Sequence, residues 1–324
     1  MASNDLEISG LHHVTAITSD AQKNINFYCN VLGLRLVKVT VNFDDPGSYH
    51  LYYGDELGRP GTILTFFAWP DAPRGRIGPA QVSATAFAVP QDALGYWATR
   101  LKENAVQTQE TSDRFGDKLI AFEDPDGMRL EIVGVTRPAG TPWAAGPIPE
   151  PFAIRGFHSI TISEEGHART ASLLTDVMGF TAIGSEHNRF RYRSSVGDGF
   201  ASLVDLLCVP GAPHGSLGAG VVHHVAFRTA DSAQQNGWRN AILRDGFNVS
   251  PVMDRTYFHS IYFREPGGVL FEIATDNPGF ATDETPAQLG AALRLPAWLE
   301  AHRTEIERSL PAIHVPGGAI IGAR

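Results

Sequence analysis

Cysteine is scarce in this chain: Cys29 and Cys208 are the only two among 324 residues. Two thiols cannot build a disulfide framework, so a fold held by its own core in a reducing compartment is expected. Each cysteine reads as a small buried hydrophobe. Basic residues are also short, with 26 Lys and Arg against 35 Asp and Glu, for a formal net charge of −9. That balance argues against nucleic acid or an anionic membrane as the main partner. No apolar run approaches the roughly 18–20 residues a membrane span needs. The opening residues carry Asp5 and Glu7 where a secretion signal would carry an apolar stretch. The expectation is a soluble cytoplasmic protein. With 43% apolar residues and 324 positions, the chain can form two domains with sizeable cores.

What the chain does have is repetition. Gly10 and Gly33 are 23 residues apart, and so are Gly156 and Gly179. Trp97 precedes Glu131 by 34 residues, and Trp238 precedes Glu272 by the same interval. The ends of these intervals also match, Asp124-Pro125-Asp126-Gly127 before Glu131 and Glu265-Pro266-Gly267-Gly268 before Glu272. Each quarter reads as a short strand, an amphipathic helix closed by glycine, then β-rich sequence with Gly-Pro turns. The expected fold is α+β: four tandem βαβββ modules forming cupped mixed sheets. Residues 1–138 and 152–282 would each hold a pair of modules. The proline-dense stretch between them, 139–151, reads as a linker. Residues 283–324 read as a helical extension, since Trp298, Leu299 and Ile306 recur near helical spacing.

Two of these modules open on a histidine doublet, His12-His13 and His223-His224. Glu272 follows His224 by 48 residues. Two histidines from separate strands plus one carboxylate make the facial triad that holds a divalent iron with positions left open. Strand alternation decides which histidine of each doublet points at a metal. Val225 and Phe227 share one face, suited to helices; His224, Ala226 and Arg228 share the other. Glu272 alternates in the same way with Phe271 and Ile273, and His13 shares its face with Thr15. The ligands are then His224 and Glu272, completed by His13 from the first module or by His158 from the third. His12 and His223 become neighbours at the cavity mouth. Thr65 falls near the Glu272 position in the first module, and Ala84 takes the place of His224 in the second. Glu131 reads as a salt-bridged relic of duplication. His50, His187 and His259 have no nameable partner and read as structural or surface residues.

The four-module pattern resembles the vicinal oxygen chelate superfamily of glyoxalases, bleomycin-resistance proteins and extradiol dioxygenases. Within it, the stretch from Ser48 to Gly58, Pro60-Gly61-Thr62, Arg155-Gly156-Phe157-His158-Ser159, Arg189-Phe190-Arg191-Tyr192-Arg193, and the region from Asp254 to Phe280 resemble the hydroquinone-type ring-cleaving dioxygenases. The likeness runs from about residue 8 to 282, and the tail around Leu295-Pro296-Ala297-Trp298 shares it. It implies metal ligation by His13, His224 and Glu272, with Fe(II) as cofactor and Mn(II) as the alternative. It also implies His223, Arg255 and Tyr262 as catalytic neighbours, a small aromatic diol and O2 as substrates, and leaves a homo-oligomer open. Two alternatives stand beside it. A glyoxalase-type isomerase or lyase usually takes a carboxylate from both partner modules, and Thr65 does not supply one. A non-catalytic aromatic-ligand-binding resistance protein needs no triad and is typically shorter.

Overall fold

The computed structural model describes residues 6–109, 112–194, 196 and 201–323. Unit 1 comprises β1 (Leu11–Thr18), α1 (Ala21–Ile25) continuing as a π-helix (Asn26–Val31), β2 (Arg35–Asn42), β3 (Asp45–Gly54) and β4 (Ile63–Ala68). Unit 2 comprises β5 (Gln81–Pro90), α2 (Leu94–Glu103), β6 (Ser112–Arg114), β7 (Asp117–Glu123) and β8 (Arg129–Val135). Unit 3 follows with β9 (Gly156–Glu164), α3 (Ala168–Ser172) and its π-helical continuation (Leu173–Val177), β10 (Phe180–Glu186), β11 (Arg189–Ser194) and β12 (Leu203–Cys208). Unit 4 closes the series with β13 (Val222–Thr229), α4 (Ser232–Arg244), β14 (Met253–Asp254), β15 (Phe258–Arg264) and β16 (Leu270–Pro278).

Local chemistry sets the helix ends. The side chains of Asp20 and Asp231 accept hydrogen bonds from the backbone N–H of Lys23 and Gln234, capping α1 and α4 at equivalent places. Gly33 and Gly179, the glycines that mark the repeat, sit at φ of +71° and +74° just past the helices of units 1 and 3. That left-handed turn is one a side chain would strain.

Two eight-stranded sheets result, ordered β14-β15-β16-β13-β1-β4-β3-β2 and β10-β11-β12-β9-β5-β8-β7-β6. Unit 1 therefore shares a sheet with unit 4, and unit 2 shares one with unit 3. Neither sheet is built from one half of the sequence. Each is mixed: β1 runs antiparallel to β13 and parallel to β4. The sheets curl into cups, giving the α+β architecture of four βαβββ units that the sequence indicates.

Both faces of the central strands are buried, which is why every residue of β1 is inaccessible. On the convex face Val14, Val225, Phe227, Phe271 and Ile273 join the main apolar core with Trp238 and Ile242 of α4. On the concave face a smaller cluster of Tyr52, Ile63, Ala226, Tyr257, Phe258 and Phe280 packs around the polar site. The tail is less helical than its sequence suggests. It holds α5 (Arg303–Ser309) and a small ribbon of β17 (Ile313–His314) with β18 (Ile320–Ile321). Short 3₁₀ turns at Pro286–Gln288 and Glu300–His302, the second running into α5, are the remaining helical pieces, and Pro296, Pro311 and Pro316 lie in the irregular stretches around them. Lys38 of β2, fully buried, ties the start of this tail down through ion pairs with Asp283 and Glu284.

Candidate metal centre

Strand register builds the site. Across the first sheet, Tyr52, Thr65, Thr15 and His224 lie in one row of direct strand partners. The adjoining row runs Ile63, His13, Ala226, Glu272 and Tyr262. Both rows face the hollow of the cup. A pseudo-twofold between β1 and β13 relates them: His13 answers His224, Thr15 answers Ala226, Thr65 answers Glu272, and Tyr52 answers Tyr262. Direct cross-strand neighbours lie about 4.5–5.5 Å apart at Cβ, so side chains of ordinary length converge.

His13 Nε2 lies 3.3 Å from His224 Nε2 and 3.3 Å from Glu272 Oε2, and His224 Nε2 is 3.0 Å from the same carboxylate oxygen. All three side chains are buried. Glu272 Oε1 accepts a hydrogen bond from the Ser260 hydroxyl. Glu272 Oε2 has no hydrogen-bond partner despite complete burial. A buried acceptor left in that state is costly. Two imidazole nitrogens and a carboxylate oxygen about 3 Å apart match three adjacent corners of an octahedron with bonds of about 2.1 Å. The donor set fits a divalent cation. It is the one such cluster among the described residues.

Hydrogen bonds behind the histidines fix which nitrogen each ring presents. A backbone carbonyl can only accept, so His12 Nε2–H donates to Thr275 O at 3.1 Å. His12 Nδ1 is then an acceptor and takes the proton of His13 Nδ1 at 2.9 Å. That leaves His13 Nε2 with its lone pair facing His224 and Glu272. His223 Nδ1 and His224 Nδ1, 2.8 Å apart, form the matching pair on β13. With His224 Nε2 likewise a lone-pair donor, its Nδ1–H points at His223, whose own proton must sit on Nε2. Metal-ligating histidines are commonly held in this way from behind. Contrary to the sequence expectation, His12 is not at the cavity mouth. It is buried against Phe258 and the Thr275 carbonyl, which β16 brings to its Nε2. His223 does border the cavity.

The electrostatics favour neutral forms of His12, His223 and His224. Burial, then the charge of neighbouring His13, pushes His12 well below its ordinary range, and burial followed by His224 lowers His223 to about 3. His224 is lowered as well, first by burial, with Glu272 opposing. Burial works against ionising Glu272, while cationic charge beside it, on His13 or His224 or on a metal held between them, lowers its carboxyl well below the usual range. Neutral imidazole and ionised carboxylate are the forms that bind metal.

The cavity above these atoms has a volume of about 290 Å³ and is walled by Phe43, Phe67, Trp69, Phe258 and Leu270. Tyr262 stands across the β15–β16 ladder from Glu272, with its ring 5.8 Å from that of His224. Its oxygen accepts a hydrogen bond from Arg255 Nε at 3.2 Å, which leaves the hydroxyl proton free to be donated elsewhere. Burial raises the Tyr262 hydroxyl above its usual value, with Glu272 adding to the effect. Arg255 also reaches Asp44 at 3.3 Å on the rim.

His50, expected as a structural or surface residue, instead lines this cavity, as does Tyr52. Its Nε2 lies 2.8 Å from Thr65 Oγ1 and its Nδ1 2.9 Å from the Tyr52 hydroxyl. The hairpin that places Tyr52 opposite Thr65 separates them by 13 residues, against 10 for Tyr262 and Glu272. The extra length of the turn hides the equivalence.

The second sheet shows the same positions without the metal donors. Ser159 and Ala84 take the places of His13 and His224, and Asp205 and Glu131 those of Thr65 and Glu272. Arg114 grips Glu131 through two hydrogen bonds, and Arg189 and Arg191 grip Asp205. His158 falls at the His12 register rather than that of His13. It sits 3.4 Å from Asp117 in this second cup, away from His224.

A cup of two βαβββ units with two histidines and a glutamate converging at its centre defines a class of metal-chelating proteins built from duplicated modules. Residues 10–132 and 156–273 match the sequence model described as Glyoxalase/Bleomycin resistance protein/Dioxygenase superfamily, and the chain belongs to that superfamily. It is 48% identical over 93% of its length to MhqO of Bacillus subtilis (strain 168), 95% of which is covered and whose name provisionally calls it a ring-cleaving dioxygenase. It is 36% identical over 94% of its length, and 96% of the relative's, to the chlorohydroquinone/hydroquinone 1,2-dioxygenase of Sphingobium indicum. A crystal structure from Bacillus subtilis subsp. subtilis str. 168, provisionally named a dioxygenase, superposes with a TM-score of 0.92 at 47% identity, covering 95% of this chain and 98% of that one. Glyoxalase I from Zea mays shares the fold alone, at 13% identity and a TM-score of 0.62, over 82% of this chain and 92% of its own.

Proposed function

We propose that this chain is a metal-dependent ring-cleaving dioxygenase of the extradiol type that opens hydroquinone-like aromatic diols with O2. The observation that carries the reading is the orphaned Oε2 of Glu272, buried within 3.3 Å of His13 Nε2 and 3.0 Å of His224 Nε2 beneath an aromatic-walled cavity. The names of the relatives at 48% and 36% identity support the reaction class, and that of the Sphingobium indicum enzyme supports the substrate class. The triad holds Fe(II), with Mn(II) as the competing occupant. When bound, such a cation acidifies a coordinated hydroxyl and passes electron density to O2.

The protein's own groups supply the rest. His13, His224 and Glu272 hold the cation on one side and leave the cavity side open to ligands. His12 and His223 keep the ligand rings in the required tautomer. Phe67, Trp69 and Phe258 sandwich a flat ring and exclude water. Arg255 neutralises an anionic substrate oxygen and aims the Tyr262 hydroxyl. Tyr262 donates its proton to developing negative charge, and His223 takes or returns a proton through Nε2.

Oxygen uptake by Fe(II)-loaded protein on a panel of hydroquinones and catechols tests this reading. Metal- and O2-dependent loss of the aromatic chromophore is expected, with hydroquinones preferred. Turnover of a hemithioacetal without O2 would instead favour a glyoxalase-type isomerase.

A further inference from the structure

Four neutral groups on the first-unit wall of the cavity form an unbroken hydrogen-bonded file. Thr15 Oγ1 lies 2.9 Å from Thr65 Oγ1, Thr65 Oγ1 2.8 Å from His50 Nε2, and His50 Nδ1 2.9 Å from the Tyr52 hydroxyl. Thr65 is completely buried, while Thr15, His50 and Tyr52 all border the cavity. Thr15 is the strand partner of His224, so one end of the file lies beside the proposed metal ligands. Its other end lies on the wall formed with Tyr257 and Phe280.

The fold alone does not demand this chemistry. The equivalent positions of unit 4 carry Ala226, Glu272, Ser260 and Tyr262, which belong to the metal site. Those of unit 3 carry Thr161, Asp205, Arg189 and Arg191, which form a salt-bridge network. Unit 1 alone fills them with groups that each both donate and accept. Burying polar groups is costly unless they are satisfied, and here they satisfy one another in series.

We propose that Thr15, Thr65, His50 and Tyr52 form a proton wire that carries one proton between the metal end of the cavity and its Tyr52 end. This rests on the dioxygenase reading, which requires a proton to leave a substrate hydroxyl and another to reach a reduced oxygen. In one state Tyr52 O–H donates to His50 Nδ1, His50 Nε2–H to Thr65, and Thr65 O–H to Thr15, whose proton is directed into the cavity. A proton accepted by the Tyr52 oxygen shifts each of these protons one place, and the Thr15 proton leaves. Every group ends with the number of protons it began with, and the hydrogen bonds point the other way. The imidazole passes from one neutral tautomer to the other. Burial above all, with His224, His13 and Arg255 adding to it, disfavours a charged His50, so a transfer that never charges the ring suits its surroundings.

Two variants interrupt the wire while preserving shape: Thr65→Val is isosteric, and His50→Gln keeps hydrogen bonds but cannot tautomerise. The primary readout needs no turnover. In ¹⁵N-histidine-labelled protein loaded with Zn(II), the His50 ring nitrogens, assigned by their loss in His50→Gln, are expected to average between two neutral tautomers. In Thr65→Val they are expected to lock into the Nδ1–H form. A wild-type His50 fixed in one tautomer, or one unchanged by Thr65→Val, overturns the wire. In oxygen uptake, both variants are expected to keep their metal and KM within about 3-fold while kcat falls on the order of 10²-fold. The curved dependence of kcat on D2O fraction should become linear. Unchanged kcat and curvature in both variants overturn the wire even where the dioxygenase reading holds. Absence of oxygen uptake in wild type overturns that reading, and the tautomer measurement still decides the wire.

Discussion

Tyr262 and Glu272 are direct cross-strand partners on β15 and β16, so the proposed proton donor and the proposed metal-binding carboxylate share one rung of the sheet. The spacing between them is set by backbone hydrogen bonds rather than by a mobile loop. Arg255, on the turn before β15, holds the Tyr262 oxygen from outside at 3.2 Å. Removing the hydroxyl should therefore leave the metal site intact. Tyr262→Phe is expected to keep its bound metal and lower kcat by around 10²–10⁴-fold, measured at saturating O2. Arg255→Ala is expected to raise KM more than it lowers kcat. Wild-type turnover in Tyr262→Phe would remove that residue from the mechanism.

The histidine doublets divide their labour by strand face. His12→Phe deletes the link from Thr275 O to His13 Nδ1, and metal affinity should fall by roughly 10–100-fold. Metal titration of the apoprotein measures this directly. His13→Ala, His224→Ala and Glu272→Ala should each lose metal more severely than that. His158→Ala should retain it, since that ring pairs with Asp117 in the other sheet.

Much of this was legible in the chain because duplication repeats its signals. The doublets at His12-His13 and His223-His224, and the matched intervals ending at Glu131 and Glu272, mark four units and a ligand set. Alternation of Val225 and Phe227 with His224 and Ala226 gives the facing of β13 without any structure. Strand pairing between distant units is what local pattern leaves out. The sequence leaves unit 1, through His13, and unit 3, through His158, open as partners of unit 4, and the pairing of β1 with β13 decides for unit 1. The same blindness hides His12, whose burial depends on β16, and Tyr52, whose equivalence to Tyr262 is masked by the longer turn before β4. The tail misled for another reason. Trp298 has helical spacing with its neighbours, but it lies in the turn after Pro296, ahead of the helical residues Glu300–Ser309, and packs edge-on against Phe43.

Lys38 is fully buried, and its ammonium serves both Asp283 and Glu284. Lys38→Met removes the cation and leaves Glu284 buried with Arg294 as its remaining ionic partner. A loss of about 3–5 kcal/mol is expected in denaturant unfolding. Adding Glu284→Gln to that variant should recover part of it, and an additive double mutant would argue against coupling.

Glu164, at the end of β9, is buried against the turn of unit 4 beside the carboxylate of Glu265. Burial, reinforced by Glu265, raises Glu164 to about 8. A carboxyl raised above its unfolded value binds its proton more tightly in the folded state. Stability is therefore greatest below the unfolded value near 4.5 and declines as pH rises toward 8. Glu164→Gln mimics the protonated form. Its Tm should exceed that of wild type by several degrees at pH 9 and differ little at pH 5. A Tm difference independent of pH would show that Glu164 does not titrate in this window.

The most direct test of the central claim is the mass of the product formed from hydroquinone by Fe(II)-loaded protein under ¹⁸O2, reduced immediately to trap the aldehyde before exchange with water. A ring-opened product carrying two ¹⁸O atoms is the expected result, lost in Glu272→Ala. An unopened ring, or a product without ¹⁸O, would contradict the assignment of this chain as a ring-cleaving dioxygenase.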